Sequence, residues 1–311
     1  MDALWPAHKL LYRCRAKAII FWIAFENSGC GWRRNGDGDP DYIAAYFDPG
    51  EIFWLERPAN PLKGPWPHRL VDDQIYGVHG LMVGDIDGDG KPDLITNSSL
   101  PKGSFPESLL WYKVPPRPRE AAQWDRFVFA DRDASGLSHY FGFGDVNGDG
   151  RKDIASAAKQ GDWFAWWEAP SNPAQPWKKH EVATQQKGAS HILMGDINQD
   201  GKVDFVAARG HGRGLVWHEA PSWRAREIAP ALTRPHSLAI GDIDGDGDLD
   251  VVSCFNGDRI IAWFENDGRG NFTIHPIYKD QTAYDIGLID VDRAGDLDVL
   301  VASDRSKNVV W

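Results

Sequence analysis

GDIDGDGKPD, running from Gly84 to Asp93, is the stretch that settles the architecture of this 311-residue chain. It sets Asp85, Asp87, Asp89 and Asp93 around Gly88 and Gly90. Alternate carboxylates on so tight a turn converge on one point. That suits Ca²⁺, a hard cation that takes several oxygens in flexible geometry. The glycines let the backbone turn where a side chain would obstruct it. Leu94, Ile95 and Thr96 follow at once, so the turn is expected to join two strands.

The stretch recurs. GDVNGDGRKD runs from Gly144, GDINQDGKVD from Gly195 and GDIDGDGDLD from Gly241. These add Asp145, Asn147, Asp149 and Asp153, then Asp196, Asn198, Asp200 and Asp204, then Asp242, Asp244, Asp246 and Asp250 as candidate ligands. About four structural Ca²⁺ sites are expected from them. Two altered copies flank the set. WRRNGDGDPD from Trp32 has Arg33 where Asp85 stands, and IDVDRAGDLD from Ile289 has Ala294 in place of the third ligand. The closing aspartates Asp41, Asp93, Asp153, Asp204, Asp250 and Asp298 lie 46 to 60 residues apart. A fixed period in this range marks a repeat architecture.

Each unit follows one plan. A short strand such as Leu81 to Val83 leads into the turn, and a second strand leaves it, as in Ile154 to Ala158. A third carries an aromatic and usually an acid: FWLE at Phe53, LWYK at Leu110, AWWE at Ala165, VWHE at Val216 and AWFE at Ala262. A Pro-rich link then reaches a fourth strand, as in Trp124 to Ala130. Short β-branched and aromatic runs bounded by Gly, Pro and Asp read as strands. Four per unit, repeated, predict an all-β chain, a β-propeller of four-stranded blades. Six copies can be counted, with seven blades if the ring is truncated or one copy is degenerate. The repeats leave no room for a second domain, so residues 1–311 read as a single propeller.

The N-terminal segment, residues 1–34, is atypical. Trp5 to Leu10 (WPAHKL) matches WPHRL from Trp66 and is expected to close the last blade, which otherwise lacks a fourth strand. Arg13, Arg15 and Lys17 then precede the apolar run 18–25 and Asn27 to Cys30, the order of a secretory signal. An irregular inner strand and a damaged reading frame are the other readings of residues 9–34.

Net charge is −11, and four Ca²⁺ would bring it to about −3. Without a basic stripe the chain is not expected to bind nucleic acid. No run is long and apolar enough to span a membrane. Cys14, Cys30 and Cys254 form no framework. The calcium demand points to an extracellular or periplasmic location.

The repeated turn followed by the W-x-E strand resembles the FG-GAP/VCBS-repeat family, whose calcium turns are similar to those of integrin alpha-subunit propellers. The resemblance covers about residues 32–311. It implies the propeller and the structural calcium. It does not choose a function, because the family includes adhesive ectodomains, cell-surface binding modules, and polysaccharide lyases or sugar dehydratases.

Chemistry is expected at the opposite mouth of the channel. His79, His139 and His236 each lie six residues before the first ligand of a turn, His191 lies five before, and Tyr284 takes the place in the last copy. Equivalent positions on inner strands lie at equal height, so these side chains are expected to ring one mouth. Lys159, Arg209, His211, Asn97, Asn256 and Arg305 join them on nearby loops. A cationic, imidazole-rich mouth would suit a carbohydrate, an acidic sugar above all, and four imidazoles could also hold a transition metal such as Zn²⁺. If the site turns over, β-elimination or dehydration is the expected chemistry, a carbon–oxygen lyase acting on a sugar or polysaccharide, with His or Tyr taking a proton and a cation stabilising the enolate. The other reading is a non-catalytic adhesive module that contacts a protein partner.

Overall fold

The computed structural model describes residues 18–19, 41–303 (except 49, 61, 62 and 64) and 309–310. Among them every regular element is a strand. The strands form six antiparallel meanders, each in simple sequence order. The first comprises Ala18–Ile19, Tyr42–Tyr46, Glu51–Leu55 and His68–Asp72, and the second Leu81–Gly84, Asp93–Ser98, Ser108–Lys113 and Asp125–Ala130. The third comprises Ser138–Gly144, Asp153–Ala158, Trp163–Glu168 and Lys178–Ala183, and the fourth His191–Gly195, Asp204–Ala208, Leu215–Glu219 and Arg224–Glu227. Pro235–Gly241, Asp250–Phe255, Ile260–Asn266 and Phe272–Lys279 make the fifth, and Asp285–Ile289, Asp298–Ala302 and Val309–Val310 the sixth. The expected closing strand, Trp5 to Leu10, lies outside the described residues. Ala18 and Ile19 pair with Tyr46 and Ala45, giving the first sheet its innermost strand.

This is the β-propeller arrangement. First strands of neighbouring sheets lie against one another, Ser138–Gly144 against His191–Gly195 and Pro235–Gly241 against Asp285–Ile289. Apolar packing lies between sheets, not at one centre. Ile95, Trp111 and Phe129 of the second sheet meet Ile154 and Trp167 of the third, and Val206 and Trp217 of the fourth meet Val251 and Phe264 of the fifth. Second strands are therefore covered on both faces. Asp153–Ala158 and Asp250–Phe255 are buried along their whole length, which explains runs of small and β-branched residues without polar alternation. Outer strands face solvent, and Arg224–Glu227 is exposed throughout.

A pairing rule repeats along the third strands. Trp54, Trp166, Trp217 and Trp263 sit opposite Arg69, His180, Arg226 and His275 of the fourth strand. His180 and His275 stack on their indoles, and Arg69 and Arg226 lie over theirs. Each basic group also holds the acid two residues beyond the tryptophan: Glu56, Glu168, Glu219 and Glu265, with N···O distances of 2.6–2.8 Å. The acid in W-x-E thus faces the outer strand of its own sheet.

Candidate functional site

The acidic turns are built by their own backbone. In each, the first aspartate accepts N–H bonds from residues three to five further on. Asp85 holds Gly88 and Gly90 at 2.9 Å, and Asp242 holds Gly245 and Gly247 at 2.8 and 3.1 Å. Gly88, Gly90, Gly245 and Gly247 all have positive φ, the left-handed region where a Cβ is strained. The carboxylates are thereby gathered. Asp85, Asp87 and Asp93 form one group, and Asp242, Asp244 and Asp246 another, each with oxygens within 4.8 Å of one another. Asp290, Asp292 and Asp296 make a third. The last of these supplies an acid where Ala294 left the sequence pattern one short. These donor sets fit a hard cation. At Asp145–Asp153 and Asp196–Asp204, Asn147 and Asn198 bring amide oxygens in place of one carboxylate. The first turn, apart from Asp41, lies outside the described residues.

The closing aspartates have a second task. Asp153, Asp204 and Asp250 are fully buried. One oxygen of each accepts the N–H of Val146, Ile197 or Ile243 inside the turn, at 2.9–3.2 Å. The other accepts the N–H of Ala169, Ala220 or Asn266 at the end of the third strand, at 2.7–2.8 Å. They clamp the turn to its own blade. Burial pushes Asp93 up to about 7 and Asp153 up to about 6, and raises Asp204 and Asp250.

At the far end of the ring the imidazoles form a line. Phe47 meets His79 edge-on at 4.6 Å, and His79 stacks on His139 at 4.1 Å and 24°. His139 meets His211 at 5.3 Å, His211 meets His236 at 5.6 Å, and His236 meets Tyr284 at 4.0 Å. Three of the four histidines expected to share the mouth do so. His191 does not. It lies one residue out of register, and a one-residue shift on a strand moves a side chain to the other face. Its ring packs on Tyr140 at 4.7 Å, itself five residues before Asp145, and accepts the Leu238 N–H at Nδ1. His211 closes the line instead, from the loop between second and third strands of the fourth sheet, where its N–H reaches the Gly188 carbonyl.

The expected cationic character is also corrected. Burial pushes His79 and His191 down to about 3 and His211 to about 4, and holds His139 well below its ordinary value; Lys159 adds to the effect on His79 and His211. These four rings are neutral at pH 7. Arg209 is committed elsewhere, bidentate to Glu227 at 2.9 and 3.0 Å and bonded to Gln186 at 2.9 Å. Asn97 is a staple. Its amide oxygen accepts the His79 N–H, and its NH₂ donates to the carbonyls of Ser138 and His139. Arg305 lies outside the described residues. Lys159 alone of the expected cations stays beside the rings without an ion-pair partner among the described residues. His139 is 2% exposed with neither ring nitrogen bonded to protein, and the Nε2 of His211 and Oδ1 of Asn256 are likewise buried and unbonded. The groups of three or more metal-ligating side chains found among the described residues are all carboxylates.

The repeated turns decide the family. The FG-GAP-like repeat profile matches residues 34–96, 145–207, 196–253 and 242–301, and three of these matches begin on the first aspartate of a turn. The chain belongs to the FG-GAP-like repeat family. No curated protein matches it significantly. Among solved structures, this FG-GAP propeller is similar to a chain of the nidogen/laminin complex, at 10% identity and TM-score 0.55 over 86% of this chain and 87% of that one. It is also similar to an auxiliary nutrient binding protein from Bacteroides ovatus ATCC 8483, at 9% identity and TM-score 0.58 over 94% and 68% of the respective chains. At such identities the likeness speaks for the fold alone.

Proposed function

We propose that this FG-GAP propeller is a binding module for an acidic sugar, held in shape by calcium in its turns. The observation that carries the reading is His139. A polar ring this deeply buried finds a hydrogen-bond partner as a rule, and His139 finds none in the protein. His139 lies beside His211, with Lys159 near both, so a ligand or a water reaching these rings would supply that partner. Neutral imidazoles both donate and accept, which matches sugar hydroxyls. Lys159 supplies one positive charge for a carboxylate.

Binding is favoured over turnover. A general base works best with a pKa near the operating pH, and imidazoles depressed to about 3 or 4 are weak bases. Calorimetric titration with uronate oligosaccharides tests the reading. Lys159→Ala and His211→Ala are expected to weaken binding by about tenfold or more each, ~1.4 kcal/mol, with melting temperatures unchanged. Undiminished affinity in both variants overturns the mouth as the site. With no sugar bound at all, the exposed Ile274, Ile277 and Tyr278 of the outer strand Phe272–Lys279 become the better candidate contact surface, for protein.

The calcium half is tested separately. An ion that binds only the folded state stabilises by RT ln(1 + [L]/Kd), about 2.7 kcal/mol per site at a hundredfold excess over Kd. Excess EGTA is expected to lower the melting temperature by many degrees. Asp242→Ala should reproduce part of that loss in calcium and little of it in EGTA. An identical melting curve with and without chelator contradicts the calcium reading and leaves the sugar reading standing.

A further inference from the structure

In the second sheet the pairing rule of the third strands is broken at both positions. Trp111 faces Phe127, stacked at 4.2 Å and 18°, where the other sheets put Arg or His. Lys113 stands where they put Glu56, Glu168, Glu219 and Glu265. Asp125 stands directly opposite Lys113 on the fourth strand, yet among the described residues the two form no ion pair. Lys113 turns the other way. Its ammonium reaches across to the acidic turn of its own sheet, contacting Asp87 and, at 3.0 Å, Asp89.

We propose that Lys113 is a built-in cation that stands in for the metal ion at the Asp85–Asp93 turn, making this turn the one that keeps its shape without calcium and binds it most weakly. The inference rests on the calcium reading of the other turns. The contrast with them is geometric. Arg151 and Lys202 also touch a carboxylate, Asp149 and Asp200, but each does so from within its own turn, two residues along, and meets one acid only. Asp242, Asp244 and Asp246 have no Lys or Arg in ion-pair reach among the described residues. Among the described residues, Lys113 is the one basic side chain shown to come from another strand and bridge two acids of a turn. An incoming Ca²⁺ must displace it, and its flexible four-carbon stem, about one-third exposed, lets it leave.

The test is a Ca²⁺ titration of the full chain by calorimetry, paired with melting in EGTA. Two variants are compared with the wild type. Lys113→Met keeps the stem and removes the charge. Lys113→Glu combined with Phe127→Arg restores the acid–base pair of the other sheets, so that a failure to fold in one variant does not end the test. The wild type is expected to show one turn binding about tenfold or more weaker than the rest, and each variant to tighten it by about that factor. Adding Asp87→Asn to Lys113→Met should erase the gain. In EGTA, Lys113→Met should melt below the wild type. Unchanged isotherms in both variants, or a wild type that loses a tight site on Asp87→Asn, overturn the proposal. If no turn of the wild type binds Ca²⁺, the calcium reading fails by itself. The lower melting of Lys113→Met in EGTA then still upholds the counter-ion role, and equal melting overturns it.

Discussion

Replacing His139 with leucine is expected to flatten the acid side of the stability curve by close to one proton, about 1.4 kcal/mol per pH unit. Burial holds His139 well below its ordinary value of 6.5, and His79, His191 and His211 at about 3, 3 and 4. In the unfolded chain all four take up protons near pH 6.5. Between there and about pH 4 the unfolded state therefore binds more protons than the folded one, and stability falls as pH falls. Four such groups amount to roughly 5 kcal/mol per pH unit at the steepest point. The raised carboxyls oppose this. Asp93 and Asp153 hold protons in the folded state up to about pH 7 and 6, which adds stability as pH falls toward the unfolded carboxylate value. The net curve of the wild type mixes both signs, so the informative quantity is the difference between wild type and His139→Leu. Urea unfolding at a series of pH values between about 7 and 4.5 measures it. Leucine also removes a buried ring without hydrogen bonds, so the variant should not be less stable than wild type at the acid end of that range. Parallel curves would mean that His139 is protonated in the folded protein, or that its nitrogens are bonded to the charged form of a neighbour.

What could be read from the sequence was what repeats. Asp85, Asp145, Asp196 and Asp242 recur with their glycines, and a turn of this kind is specified by residues adjacent in the chain. The strand order follows from the same repetition, because each meander is local. The mouth was legible only in part. His79, His139 and His236 share a register position and do converge. The slip at His191 is a single residue, and its consequence is visible only once strand parity is applied against Tyr140 and Leu238. His211 sits on a loop, where spacing from the turn predicts no height. The neutral state of the rings was not legible at all, since charge depends on burial between sheets that are distant in sequence. Asp296 and Lys113 were in plain view. Position-by-position comparison of the W-x-E strands shows Lys113 as an exception, but its meaning needs Phe127 on the opposite strand. Their place in the motif marks the closing aspartates only as ligands. Their grip on Ala169, Ala220 and Asn266 spans a whole hairpin, a contact no motif records.

That grip makes the second large effect. Asp153→Ala is expected to cost about 3–5 kcal/mol with or without calcium, while Asp149→Ala in EGTA costs less than about 1 kcal/mol. Asp153 is fully buried, and its two oxygens accept the N–H groups of Val146 and Ala169 at 2.9 and 2.8 Å. Alanine leaves both donors buried without a partner, at roughly 1–3 kcal/mol each, and adds a small cavity. The loss is structural because the two bonds fasten the turn to the far end of the third strand, and the second sheet packs on that strand through Trp163, Ala165 and Trp167. Asp149 lies exposed at the tip of the turn, where its oxygens accept the backbone N–H and the guanidinium of Arg151. The two residues therefore separate the clamp from the ion. A metal ligand alone would give both variants the same behaviour, damaging in calcium and nearly silent in EGTA. A clamp gives Asp153→Ala its full cost in EGTA. Asp153→Asn refines the test, since an amide can accept one of the two N–H bonds but presents its NH₂ to the other. It should fall between wild type and alanine. Urea unfolding of the three variants in EGTA decides the matter. If Asp153→Ala matches the wild type there, the closing aspartate is a ligand and nothing more.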